Sequence, residues 1–181
     1  MDKDSGLKNE VENWVEFRDA TVEIKEIMFG PGEWVDEPDR VEFGYKGVWC
    51  QIGRSQSGAL CGYIFISQDH PWAIENECEI PCDVHGGCTY SQTYGAIWKV
   101  GFDCAHSGDL IPLVEKVVSE KGRRKEDIEF ENRWKPVFPR VFKRVYRNID
   151  FCVKECINLA AQALEASHPT NSLSDGALAD S

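Results

Sequence analysis

The strongest constraint on the fold is an amphipathic run near the end of the chain, Ile149 to Ala166. Ile149, Cys152, Val153, Cys156, Leu159, Ala160, Ala163 and Leu164 recur at three-and-four spacing. Asp150, Lys154, Glu155, Asn158, Gln162 and Glu165 fill the opposite face. That pattern predicts a helix with a single apolar stripe, and the stripe needs an apolar surface to cover. Asn148 stands where a side chain caps a first turn. From His168 onward the sequence reads as a flexible tail, residues 168–181.

The middle of the chain supplies the partner. Arg40 to Tyr45 alternates, Lys46-Gly47 reads as a tight turn, and Val48 to Ile52 follows as the paired strand. Leu60 to Ile66 is apolar on both faces in part, which places it inside a sheet. Two more strands are expected over residues 83–91 and 96–102. These elements predict an α+β domain: an antiparallel meander of four to five strands with the C-terminal amphipathic helix packed on one face. Ahead of them a helix over 8–19 and a strand over 21–28 are expected, ended by Gly30-Pro-Gly32. Ile111 to Ser119 suits a short helix with Pro112 in its first turn, and 120–131 is densely charged and exposed. Residues 1–167 form one domain, with 1–40 and 115–140 as additions to its core.

Composition narrows the partners. A net charge of −11 argues against a nucleic-acid polymer, which is held chiefly through clustered Lys and Arg. The charged first ten residues carry no signal-peptide core, and no apolar run reaches membrane-spanning length. A cytoplasmic protein without membrane contact is therefore expected. Its eight cysteines would be reduced and mostly small buried apolar residues.

Chemistry concentrates in two motifs. Asp83-Val-His85-Gly86-Gly87 places an acid and an imidazole two apart, on one side if the segment is a strand, and the glycines leave room for a ligand. Asp103-Cys104-Ala105-His106, followed by Asp109, falls where the next strand runs out. His85 and His106 are candidate acid–base groups with Asp103 as an orienting carboxylate. The plainer alternative is that these histidines and acids only close turns. Thr89, Tyr90 and Trp98 complete the expected ligand-binding set around them. His85, Cys104, His106 and Asp109 are zinc-type ligands, yet their spacing follows no standard signature. No cofactor is expected, with zinc as the lesser alternative. Downstream, 133–147 carries six basic residues and no acid. Arg140, Arg144 and Arg147 suit phosphate, and the interleaved Trp134, Phe138, Phe142 and Tyr146 suit stacking on a base. An equally good reading is a charge-balancing segment with its aromatics packed inward.

Several motifs together resemble a group of small proteins common in phages and prophages. They are Cys61-Gly-Tyr63, His70-Pro71, Asp83-Val-His-Gly-Gly-x-Thr-Tyr90, Trp98-x-x-Gly-Phe-Asp-Cys-Ala-His-x-Gly-Asp109 and Tyr146-Arg-x-x-x-x-Cys-Val-Lys-Glu-Cys156. The resemblance spans roughly residues 41–165 and carries no settled activity. A phage setting implies a counter-defence protein that sequesters a small nucleotide-derived signal, cyclic or phosphorylated. Such capture favours a preformed pocket and leaves room for a homo-oligomer whose interface completes it. The alternatives are a hydrolase that degrades the signal by His/Asp acid–base chemistry, and a protein–protein inhibitor of a host defence enzyme.

Overall fold

A computed structural model describes residues 6–139 and 143–167. Alternation sets the strands at its centre. In Val48–Arg54, Val48, Cys50 and Ile52 are buried while Trp49 and Gln51 point the other way. It pairs with Arg40–Tyr45 through a turn at Lys46 and Gly47, which take φ of 48° and 82° as a two-residue hairpin of this type requires. With these as β2 (Arg40–Tyr45) and β3 (Val48–Arg54), the others are β1 (Glu12–Phe17), β4 (Leu60–Ser67), β5 (Tyr90–Tyr94) and β6 (Ile97–Asp103). All six form one antiparallel sheet in the order β1-β2-β3-β4-β6-β5.

Two expectations are corrected by this sheet. It has six strands rather than four or five, and it is not a simple meander, because β6 lies between β4 and β5. The sixth strand is β1, within the stretch expected as a helix, while the stretch expected as a strand is the helix α1 (Val22–Phe29). The physical reasons are local. Asn13 takes a left-handed φ of 54°, and the pairing of β1 with β2 shifts register between Glu12 and Val15, so a bulge hides the strand's alternation. In α1 the Thr21 hydroxyl caps the Ile24 amide at 3.3 Å, and the helix buries Lys25, a residue that a hydrophobicity pattern counts as exposed.

The C-terminal helix α4 (Ile149–Ser167) lies across β3 and β4, as its stripe requires. Cys152, Val153, Cys156, Leu159, Ala160 and Ala163 are almost fully buried against Ile52, Leu60, Ile64, Val100 and Phe102. Asn148 caps it by accepting the Phe151 amide at 3.0 Å. Gly62 sets the depth of this packing. A Cβ there would lie 2.4 Å from the Phe102 ring and 2.7 Å from Cys156 Sγ. The opposite face of the sheet carries Trp49 stacked on Phe65 at 4.0 Å, with the Lys99 ammonium 3.7 Å over the Tyr63 ring. The eight cysteines are free; Cys50, Cys104, Cys152 and Cys156 are buried and Cys78 is exposed. Two further helices, α2 (Pro112–Lys121) and α3 (Lys125–Trp134), occupy the charged region, the second where only an exposed segment was expected. Among the described residues no helix is long and apolar enough to cross a membrane.

A buried ionic network ties the N-terminal residues to the start of α4. Glu37 accepts from Arg54 at 3.1 Å, from the Tyr146 hydroxyl at 2.5 Å and from the Ile149 amide at 3.0 Å. Burial pushes the Tyr146 hydroxyl well above its ordinary range, so it stays a neutral donor. Asp39 accepts from the amides of Asp19 and Ala20 and pairs with Lys25 at 3.0 Å. Burial pushes the Asp39 carboxyl up, but the Ala20 amide and the Lys25 and Arg54 charges outweigh it and hold it below its ordinary value.

Lys25→Ala should therefore cost about 1–3 kcal/mol, because it removes one charged partner of a largely buried carboxylate that keeps two amide donors and Arg54. Since the Asp39 pKa is lowered in the folded chain, its stabilisation is present above the unfolded carboxylate value, about 3.9, and is lost as pH falls through the folded one. Urea midpoints at pH 7 and pH 3 should differ less in Lys25→Ala than in the parent. An equal pH difference would remove Lys25 from this role.

Candidate functional site

The two polar motifs meet beside the first turns of α4. The connection from β4 to β5 was expected as a strand from residue 83, but β5 begins only at Tyr90. Gly86 and Gly87 take φ of 72° and 82°, and the Gly87 amide closes a turn onto the Val84 carbonyl at 2.9 Å. The turn separates Asp83 from His85. Asp83 is exposed, and its backbone is fixed to α4: its amide donates to Gln162 Oε1 at 2.8 Å, and its carbonyl accepts from Asn158 and Gln162. The next anchor is the His85 amide, which donates to Glu155 at 2.7 Å. Helix α4 thus holds this loop along its length and turns the His85 ring inward.

The ring meets Asp109. His85 Nε2 lies 2.8 Å from Asp109 Oδ2, which also accepts the His106 amide at 3.0 Å. Asp109 Oδ1 accepts from Arg147 Nε at 2.9 Å. The Asp109 side chain is only 1% exposed, so these donors replace its water. Burial pushes its carboxyl up, yet the hydrogen bonds from His85, Arg147 and the His106 amide together leave it below its ordinary value. Arg147 arrives through a short parallel bridge in which Leu110 donates to Val145 and Val145 donates to Gly108, both at 2.9 Å. Phe151 lines the same side, edge-on to His85 at 5.2 Å and 4.7 Å from the Arg147 guanidinium.

His106 completes the group. Its ring stands edge-on to that of His85 at 5.4 Å, and its Nδ1 lies 3.7 Å from both Asp103 Oδ1 and Asp109 Oδ2. That Nδ1 is buried and has no hydrogen-bond partner. Gly86 permits the close approach, since a Cβ at this position would sit 2.0–2.5 Å from the His106 ring atoms.

The structure brings together His85, Gly86, Asp103, His106, Asp109 and Arg147 and leaves the other expected residues outside. Gly87 belongs to the turn, and Thr89 is bound through its amide to Gly101. Tyr90 packs edge-on to Tyr63 on the sheet, and Trp98 donates to Ser91 at the far end of β6. Arg144 pairs with Glu115 rather than with the site; Arg140 and Phe142 lie outside the described residues. Cys104 is not with the histidines: it is buried, 3.6 Å from Cys152. Phe151 and Glu155 were missed, although both fall on the polar edge of the helical stripe, a turn apart from each other.

Compared with protein families, with characterised proteins and with solved structures, the chain matches none.

Gly86→Ala should displace the His106 ring and cost about 1–3 kcal/mol through its positive φ and the clash. Imidazole resonances of both histidines should move in the NMR spectrum of the variant. Unmoved resonances would show that the loop can retreat without disturbing the centre.

Proposed function

We propose that the His85–Asp109–Arg147 centre captures a small anionic, nucleotide-derived ligand, cyclic or phosphorylated, in a phage-type counter-defence role. The observation that carries this is the hub at Asp109, which fixes an imidazole and a guanidinium side by side. Arg147 uses Nε for the carboxylate, so its terminal nitrogens stay available for a phosphate. His85 uses Nε2 on Asp109, which leaves Nδ1 as the ring nitrogen that can face a ligand. Phe151 adds an apolar wall beside both groups.

A second reading has one observation in its favour. A buried carboxylate on His85 Nε2 fixes the imidazole tautomer and leaves Nδ1 as a base, the arrangement general acid–base catalysis uses. On that reading the same ligand class is hydrolysed, with His106 as the second imidazole.

One experiment separates the two. The purified protein is incubated with cyclic mono- and dinucleotides and with linear nucleotides, then heat-denatured, and the released compound is analysed. Intact ligand supports capture and cleaved ligand supports hydrolysis, while no retention of any candidate sinks both. Arg147→Ala should weaken binding roughly 10- to 100-fold, as expected for losing hydrogen bonds to a charged group. Arg144→Ala, already paired with Glu115, should bind like the parent. Equal losses in the two variants would assign phosphate contact to the whole basic segment.

A further inference from the structure

The arrangement around Asp109 leaves one polar atom unexplained. His106 Nδ1 is buried with no hydrogen-bond partner, although two carboxylate oxygens stand 3.7 Å away. A buried polar atom left unpaired costs about 1–3 kcal/mol, and folded proteins carry few of them. The unpaired atom stands 3.7 Å from two carboxylate oxygens, too far for a hydrogen bond and close enough for both to share a bound ion.

We propose that His85, His106 and Asp109 form a divalent transition-metal site, with zinc the ion its donors suit best. One ligand atom from each of the three lies within 4.8 Å of the other two. A four-coordinate zinc with bonds of about 2.1 Å spaces its ligands about 3.4 Å apart. The distances from Asp109 Oδ2, 2.8 Å to His85 Nε2 and 3.7 Å to His106 Nδ1, bracket that spacing. Two imidazoles and one carboxylate are a borderline donor set, which favours zinc, cobalt or nickel over magnesium and calcium. His85 presents Nε2 as a lone pair once its proton has moved to Nδ1. Beyond that proton transfer, the His85–Asp109 separation must open from 2.8 Å and the His106–Asp109 separation must close from 3.7 Å toward the spacing of the ion's ligands.

The surroundings fit a metal centre as well. Arg147 holds the other oxygen of Asp109 and so orients the coordinating one, the outer-sphere role such partners play. Asp103 Oδ1 stands 3.7 Å from His106 Nδ1 but outside the three-residue group, so its place is beside the His106 ring and not on the ion. Gly86 lets the His85 loop sit against His106, which draws both imidazoles to the same carboxylate. Three protein ligands leave one position open, as in zinc sites that act on a small molecule. The site shares residues with the ligand-capturing centre but does not depend on it, because metal uptake is measured with no nucleotide present.

The test titrates the intact, reduced protein with Co²⁺ and then with Zn²⁺ as competitor. One equivalent of Co²⁺ should bind and give visible ligand-field bands without thiolate charge-transfer absorption. Zn²⁺ should displace it and shift the ring resonances of both histidines. His106→Gln should weaken binding by more than the roughly 10- to 100-fold that losing an outer-shell partner costs. Its circular dichroism melt shows whether it is folded, and His85→Gln serves as the second variant. Cys78→Ser should bind normally. No uptake of either ion, thiolate-to-cobalt bands, or affinity unchanged in both folded histidine variants would overturn the site. Protein that retains a nucleotide yet takes up neither ion would leave the capture reading standing and remove this one.

Discussion

The structure depends on how closely α4 approaches the sheet. Its stripe is wide and its small residues, Cys152, Cys156, Ala160 and Ala163, bring the helix axis near β3 and β4. Gly62 gives up a side chain at the closest point, where Phe102 and Cys156 fill the space a Cβ would take. Hydrophobic burial supplies the attraction, and close packing fixes one depth and one rotation for the helix. From that rotation the polar edge of α4 follows. Glu155, Asn158 and Gln162 point at the β4–β5 connection and hold Asp83 and His85 by their backbones. The candidate centre is therefore positioned by the same element that completes the core.

Two buried carboxylate hubs flank the first turn of that helix. Glu37, with Asp39 beside it, gathers Arg54, Lys25, Tyr146 and the Ile149 amide; Asp109 gathers His85, the His106 amide and Arg147. Tyr146 and Arg147 are adjacent, so consecutive residues serve different hubs. Displacing one would move the other. A buried charge is tolerated only when its partners satisfy it, and that makes both hubs sensitive to geometry. Residues among the first forty, Glu37 above all, thus help fix Arg147 at the site. Both carboxylates have partners on both oxygens, and each hub leaves one buried nitrogen beside it without a hydrogen bond, Arg54 Nε in the first and His106 Nδ1 in the second.

Much of this was legible in the sequence where the signal is periodic. The α4 stripe, its Asn148 cap and the hairpin at Lys46-Gly47 are encoded within a few residues. The clustering of His85, Asp103, His106 and Asp109 was also visible, because strand ends bring polar motifs to one edge. What failed depends on distant partners. Asn13's bulge disguised β1, and Lys25 hid the buried face of α1 because its charge is met by Asp39, fourteen positions along the chain. Asp83 was expected to share a face with His85, but two left-handed glycines and the hydrogen bonds to α4 turn it away. Nothing local distinguishes Arg147 from Arg144; their partners Asp109 and Glu115 do.

Those pairings change what the basic segment means. In a chain of net charge −11, the 133–147 run looks like a phosphate clamp. Arg144 joins Glu115 on α2, Lys135 joins Glu131 on α3, and Arg147 joins Asp109. Three of the five basic residues in the described part of the run thus neutralise acids that other parts of the chain bring near. Arg147 differs in one respect: its acid is nearly inaccessible to solvent while its guanidinium is partly exposed. A cation oriented from the buried side and open on the other can take a second anion without losing the first. Selectivity for an anionic ligand would then come from one arginine held in place by Asp109, not from the sum of a basic stretch.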